Sequence, residues 1–466
     1  MFKNLTLSLL VVFVQSIACF GQEKFWISNE DRYLITVDLP APDYCSEWIN
    51  QCSYRLDTKT QSLLHELDID FSPVHQFTPT SSNETYPTLG FALEQVESKA
   101  FIDRGLTGKG VKIGIIDGGF LGAKEDPSLK HFFDKNLVKY YKDYITPNME
   151  EYGGAIGLDD NHGTEVWQAI GGFHPSKNIL YGLATESEYY LARTDHGAYE
   201  KRIEEDFLIK ALEDMAKMNI KLINISLGYN LGFNDPKENY EKADMDGKTS
   251  ALAKAVDHGA LKKGMLIVVA AGNEGMDKWE TLSTPGDARH ALTVGSSKYE
   301  IWDKMNYSSI GPEFTDFVKP DVSVYSTMGT SYSTPIVTGM AACIWQLNPQ
   351  LTNFEIIEIF KKAGNFYPFP NNYLGYGVPS CPKLLSILEG EEQLAPETIR
   401  TSKDHVKIDI QDSVRYIVAF HKKDERNVSS RVVYKSNDRN VKVKKMEDAH
   451  QTSVLVGKSI VEIIWE

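Results

Sequence analysis

Residues 111–119 read VKIGIIDGG, an apolar β-branched run closed by Asp117 and two glycines. Such a run, bounded by turn residues, has the signature of a strand buried on both faces. A carboxylate at its end lies where open α/β sheets carry their sites, beyond the carboxyl edge of the strands. Four further runs share this texture: YYLAR from Tyr189, KLINISLG from Lys221, MLIVVAAGN from Met265 and ALTVGS from Ala291. Amphipathic stretches such as EEDFLIKALEDMAKMN from Glu204 separate them, their charges expected on a solvated helix face. The alternation predicts an α/β fold over residues 81–392, a parallel sheet covered by helices on both faces.

The flanks read differently. Residues 1–21, MFKNLTLSLLVVFVQSIACFG, carry one lysine, an apolar stretch and small residues, the pattern of a secretory signal peptide. Cleavage is expected near Gly21, because Ser16 stands where a lipoprotein box before Cys19 would have a leucine-like residue. No later segment is apolar for long enough to span a bilayer, so the expectation is a secreted or cell-surface protein. Residues 22–80 form a small α+β unit, with a strand over Tyr33 to Leu39 and a helix near Thr58 to Leu67, followed by the linker TPTSSNETYPTLG from Thr78. After EEQLAPETIRTS the chain alternates strands (HVKIDI, VRYIVAF, RVVYKS, VKVKK, SVLVG, SIVEIIWE), which predicts a β-sandwich-like module over 393–466.

The 466 residues are 42% hydrophobic, enough for two or three domains. A formal charge of −15 argues against nucleic acid or an anionic membrane as partner. Beyond Cys19, Cys45, Cys52, Cys343 and Cys381 leave the pairing open, with Cys343 expected as a buried free thiol on an apolar helix.

Three more stretches carry chemistry. DDNHGTEVWQAIGG places His162 before Gly163 and Thr164 at the start of a helix. VVAAGNEG runs a buried strand into Asn273, whose amide can donate to a developing oxyanion. GTSYSTPIVTGMAAC, from Gly329, sets Ser331 at a helix N-terminus, where a hydroxyl is either a cap or a nucleophile. In order the chain offers Asp, His, Asn and Ser.

With GKGVKIGIIDGG, HGT, INISLG, VVAAGN and GTSYSTP in this order, the chain resembles the subtilisin-like (subtilase) serine peptidases. The resemblance implies a subtilisin-like core and a secreted serine endopeptidase that hydrolyses peptide bonds through an acyl-enzyme. It assigns Asp117, His162 and Ser331 to a triad and Asn273 to the oxyanion hole. It makes the N-terminal unit a propeptide and lines the specificity pocket with Ser226, Leu227, Gly228, Ala270, Ala271 and Gly272. Aligning Pro285 with the family's proline after the pocket floor puts Ser283 at that floor and Glu274 at the rim. The small, neutral lining implies a large apolar residue before the scissile bond. No cofactor is required for this chemistry, and the expected partners are protein or peptide substrates of a monomer.

Several positions depart from the family's pattern. Gly118 replaces a hydroxyl residue beside the acid, Trp167 and Gln168 replace small residues, and the connection from Pro320 to Gly329 is short. A structural calcium site is not recognisable in GGFHPSKNILYG. The rival reading is a non-catalytic subtilase-like surface protein that binds peptides or partners.

Overall fold

A computed structural model describes residues 23–28, 42–46, 48, 51–56, 71–73 and 89–466, the last range without 148–149, 155–159, 196–201, 233, 392, 411–413, 415 and 436–439. The expected signal peptide with Cys19, the strand at Tyr33 to Leu39, the helix near Thr58 and linker residues 78–88 lie outside the described residues. In the N-terminal region, β1 (Glu23–Ser28), β2 (Tyr44–Ser46), β3 (Gln51–Leu56) and β4 (Phe71–Pro73) form an antiparallel sheet in the order β2-β3-β1-β4. A Cys45–Cys52 disulfide joins β2 to β3.

Helices α1 (Leu89–Gln95) and α2 (Lys99–Ile102) lead into β5 (Lys112–Asp117), the strand of the opening stretch. Next come α3 (Lys130–Asp134), β6 (Val138–Asp143), α4 (His162–Gly171), the short hairpin β7 (Phe173–His174) and β8 (Ile179–Leu180), and β9 (Glu188–Arg193). Then α5 (Ile203–Lys217), β10 (Leu222–Ile225), α6 (Ala251–Lys263), β11 (Leu266–Ala270), β12 (Leu292–Ser297) and β13 (Val322–Tyr325) complete the sheet. Helices α7 (Thr330–Leu347), α8 (Asn353–Ala363) and α9 (Cys381–Leu388) follow. The sheet has the order β13-β12-β11-β10-β5-β9-β6, and every pair in it is parallel.

Strands β10, β11 and β12 are buried along their whole length, which explains their unbroken apolar sequence. One apolar core holds α4 and α7, with Trp167, Ile170, Ile336 and Met340; the other holds α5 and α6, with Leu208, Leu212, Leu252 and Val256. After β5 the chain builds β6 and β9 on one side and then crosses to build β10 to β13 on the other. The order therefore reverses between β5 and β10, the kind of switch point at whose carboxyl strand ends open α/β sheets place a binding crevice.

The C-terminal region is a five-stranded sheet, β14-β20-β19-β16-β17, of β14 (Glu397–Thr401), β16 (Tyr416–Lys422), β17 (Val428–Lys435), β19 (Gln451–Val456) and β20 (Ser459–Trp465). The ribbon of β15 (His405–Asp409) and β18 (Asn440–Lys444) stands apart from it in pairing. The period-two rule divides the faces. Ile417, Ala419, Val454 and Ile463 pack with Ile408, Val441 and Val443 of the ribbon, whereas Val418, Phe420, Leu455 and Ile460 belong to the core that contains α4 and α7. The module thus shares its apolar interior with the α/β domain.

Candidate active site

The crevice collects the four polar residues singled out in the sequence. Asp117 ends β5, fully buried, and its Oδ1 lies 2.6 Å from Nδ1 of His162, the first residue of α4. Oδ1 also accepts the Gly118 N–H at 2.8 Å, while Oδ2 has no hydrogen-bond partner among the described residues. The glycine at position 118 supplies no hydroxyl for that second oxygen. Gly163 lets α4 come this close: a Cβ there would lie 2.5 Å from the Gly119 carbonyl and 2.9 Å from the Asp117 Cβ. The Thr164 hydroxyl fastens the helix to the Leu121 carbonyl at 2.9 Å.

Ser331 is the second residue of α7 and 2% exposed. It does not cap the helix, since Gly329, at φ +131°, holds the N-cap position without a side-chain bond. The Ser331 hydroxyl instead donates to the Ser226 carbonyl at 2.9 Å, and the Ser226 hydroxyl donates to the Ser331 carbonyl at 2.8 Å. A hydroxyl has one proton, so in this rotamer it is not given to His162. Asn224 and Thr338 support the clamp, with Asn224 donating to the Ser226 hydroxyl at 3.0 Å and Thr338 donating to the Asn224 oxygen at 2.8 Å.

Asn273 follows β11, and its Oδ1 accepts the Thr330 N–H at 2.8 Å, with the Thr330 hydroxyl at 3.1 Å. These contacts fix which way the amide points: the oxygen faces the helix, and Nδ2 remains as a donor beside Gly329, whose Cβ position would lie 3.1 Å from it. The Thr330 hydroxyl also accepts the Gly272 N–H at 3.1 Å. Thr330 therefore orients Asn273, a role its sequence signal, a hydroxyl before Ser331, did not separate from capping.

The segments 226–228 and 270–272 leave the carboxyl ends of the paired strands β10 and β11, whose register runs to Ile225 and Val269. Ser283 lies across them, its Oγ close to Gly228 and Gly272, and receives a bond from Asn230 at 2.8 Å. Glu274, expected at an open rim, turns its carboxylate inward. Its Oε2 accepts from the Asn273 N–H (2.8 Å), the Ser309 hydroxyl (2.9 Å) and the Ser283 hydroxyl (3.1 Å). The polar floor is thereby satisfied within the protein.

Two further arrangements were not legible beforehand. Arg193, buried at the end of β9, donates to the Gly118 carbonyl (3.0 Å), Asp143 (3.0 Å) and Asp160 (2.7 Å), so it joins the Asp117 turn to the loop before His162. Tyr332, next to Ser331, donates to Glu165 on α4, and its ring centroid lies 5.5 Å from that of His162. Trp167 fills the space behind α4, stacked at 5.2 Å on Phe132, and Gln168 donates to Asp126 at 2.6 Å. These contacts account for the two large residues on that helix.

Comparison with known proteins agrees with this architecture. The Subtilase family matches residues 108–377. Subtilisin NAT of Bacillus subtilis subsp. natto is 26% identical over 334 residues, covering 69% of this chain and 77% of that protein. Serine protease AprX of Bacillus subtilis is 28% identical over 357 residues, covering 68% and 74%. Among solved structures, fervidolysin from Fervidobacterium pennivorans shares the fold at TM-score 0.56 and 15% identity, covering 93% of this chain and 70% of that one. The epidermin leader peptide processing serine protease from Staphylococcus aureus does so at 0.56 and 19%, covering 80% and 100%. The protein is a serine endopeptidase of subtilisin-like fold. The chain belongs to the subtilase family.

Proposed function

We propose that the chain is an exported endopeptidase in which Asp117, His162 and Ser331 act as the triad and Asn273 as the oxyanion donor. The 2.6 Å contact between Asp117 and His162 Nδ1, with the ring of Tyr332, the neighbour of Ser331, 5.5 Å from that of His162, carries this reading. With Nδ1–H given to the carboxylate, Nε2 is the nitrogen left to accept a proton. Ser331 Oγ attacks the substrate carbonyl after leaving the Ser226 carbonyl, a rotation about its own side chain that brings the hydroxyl to His162. The oxyanion takes hydrogen bonds from Asn273 Nδ2 and the Ser331 N–H, a first-turn donor without an intrahelical acceptor. His162 then protonates the leaving amine, and water, deprotonated by the same nitrogen, releases the acyl group from Ser331. The chemistry calls for no cofactor.

The pocket between residues 226–228 and 270–272, closed by Ser283, is proposed to take a large apolar side chain, since its polar groups already pair with one another. Residues 22–80 are proposed as a propeptide. Its described part docks on the α5–α6 face: Ser46 donates to Glu213 at 2.8 Å, Ser53 to Asp206 at 3.1 Å, and Trp48 stacks on His258 at 5.3 Å. Residues 1–21 are proposed as the export signal; among the described residues no helix is long and apolar enough to cross a membrane. The reading is tested by assaying hydrolysis of a Phe-containing peptide library: the wild-type protein is expected to cleave and Ser331→Ala to lose turnover. Full turnover by Ser331→Ala would remove Ser331 from the mechanism.

A further inference from the structure

The C-terminal module reaches the substrate pocket through a chain of charges. Arg431, on the edge strand β17, extends into the α/β domain and meets Asp303, which is fully buried, at 3.0 Å from Oδ1 and 2.8 Å from Oδ2. Asp303 also receives Lys298 at 3.1 Å and the Lys304 N–H at 2.8 Å. The next side chain, Lys304, is 6% exposed and turns its ammonium onto three backbone carbonyls, those of Met305 (3.0 Å), Asn306 (3.1 Å) and Ser308 (2.6 Å). Three carbonyls converging on one ammonium fix the path of residues 305–308 as a bound cation would. Burial and then the Arg431 guanidinium pull Lys304 down to about 8, and Asp303 opposes them.

This loop backs the pocket. The Tyr307 carbonyl accepts the Gly275 N–H at 2.7 Å, and the Ser309 N–H donates to the Gly272 carbonyl at 3.0 Å. The Ser309 hydroxyl accepts the Glu274 N–H at 3.1 Å and donates to its carboxylate at 2.9 Å. The backbone on both sides of Asn273, and the carboxylate bonded to its N–H, are therefore held by a loop that is itself held by Lys304. Around this contact the module is firmly seated. Phe420 packs on Phe366 and Tyr373 at 5.5 and 6.3 Å, and Asn372 exchanges bonds of 3.0 Å with Arg426 and Val428.

We propose that the C-terminal module is a working part of the peptidase, with Arg431, Asp303 and Lys304 as positioning residues that brace the 303–309 loop and through it Asn273 and Glu274. This rests on the assignment of Asn273 and the pocket given above. Without Arg431, the buried Asp303 loses one of the two side-chain cations that bond to it among the described residues, and the loop is free to relax. A misplacement of even an ångström at an oxyanion donor is felt in the rate.

The test compares Arg431→Ala, Arg431→Lys and, as a control, Lys442→Ala, an exposed side chain on the β15–β18 ribbon. kcat and KM are measured well below each variant's unfolding transition on peptides with Phe or Lys before the scissile bond. Arg431→Ala is expected to lower kcat on the order of tenfold and to change the Phe-to-Lys ratio, because Glu274 loses its fixed place. Arg431→Lys is expected to recover part of both, and Lys442→Ala to match the wild type. A mere loss of folded enzyme scales both substrates equally and leaves their ratio unchanged. Wild-type kcat and ratio in Arg431→Ala, while Asn273→Ala still collapses turnover, would overturn the brace and leave the site intact. Wild-type turnover in Asn273→Ala would overturn the site reading and the brace with it.

Discussion

Replacing Asn273 with alanine separates a catalytic from a structural role, because the structure gives its two ends different partners. Oδ1 accepts from the Thr330 N–H at 2.8 Å and its hydroxyl at 3.1 Å, whereas Nδ2 is the end assigned to the oxyanion. Losing the oxyanion donor is expected to cost about 3 to 4 kcal/mol in the barrier, a fall in kcat of about 10² to 10³. KM is expected to stay nearly constant, since the oxyanion exists only near the transition state. Losing the acceptor for the first N–H of α7 is a separate effect on stability, about 1 kcal/mol. Asn273→Asp distinguishes the two. It keeps an oxygen for Thr330, so the stability loss shrinks, but it has no donor and kcat remains low. The assays are steady-state hydrolysis of a chromogenic peptide and thermal unfolding of the same preparations. A rise in KM with kcat unchanged, or full activity in Asn273→Asp, would refute the argument.

Three other outcomes follow from the geometry. A peptide library varied at the residue before the scissile bond is expected to favour Phe, Tyr, Leu and Met; strict cleavage after Arg or Lys would mean that Glu274 leaves its bonds to Ser283 and Ser309 and faces the substrate. N-terminal sequencing of the exported protein is expected to find a terminus between Thr78 and Gly90, and an active, stable form beginning near Gln22 would make residues 22–80 a retained domain. His421, buried with Nδ1 2.9 Å from the Thr452 hydroxyl, is pushed by burial from the ordinary 6.5 down to about 4. The unfolded chain takes up this proton as pH falls through 6.5 while the folded one does not, so the module is expected to lose up to about 3 kcal/mol between pH 6.5 and 4. Trp465, bonded to Thr452 at 2.8 Å, reports the change in fluorescence-detected unfolding, and an equal pH slope in His421→Asn would contradict it.

The parts of the fold that were legible are those where burial writes itself into local sequence. β10, β11 and β12 are buried along their whole length, and their apolar runs gave them away. The edge strands did not: in β6, VKYYKD, only Asp143 is buried, β13 is four residues long, and β14 is a charged strand, ETIRT, that pairs in parallel with β20. The positions of Asp117, His162, Asn273 and Ser331 were legible because each lies at, or within three residues of, the end of an element on the carboxyl side of the sheet. What holds them was not. Thr330 meets Asn273 across 57 residues and Arg431 meets Asp303 across 128, and no local pattern records such a pairing. Glu274 was placed at the rim on its position alone; its inward turn depends on Ser309, which lies 35 residues further along.

The most direct measurement is labelling of the purified protein with an active-site phosphonate, followed by mass spectrometry of the tagged peptide. A single tag on Ser331, absent from Ser331→Ala and slowed in His162→Ala, is the predicted result. A tag on another serine, or a protein that cleaves peptides while Ser331 stays unlabelled, would contradict the assignment of the nucleophile.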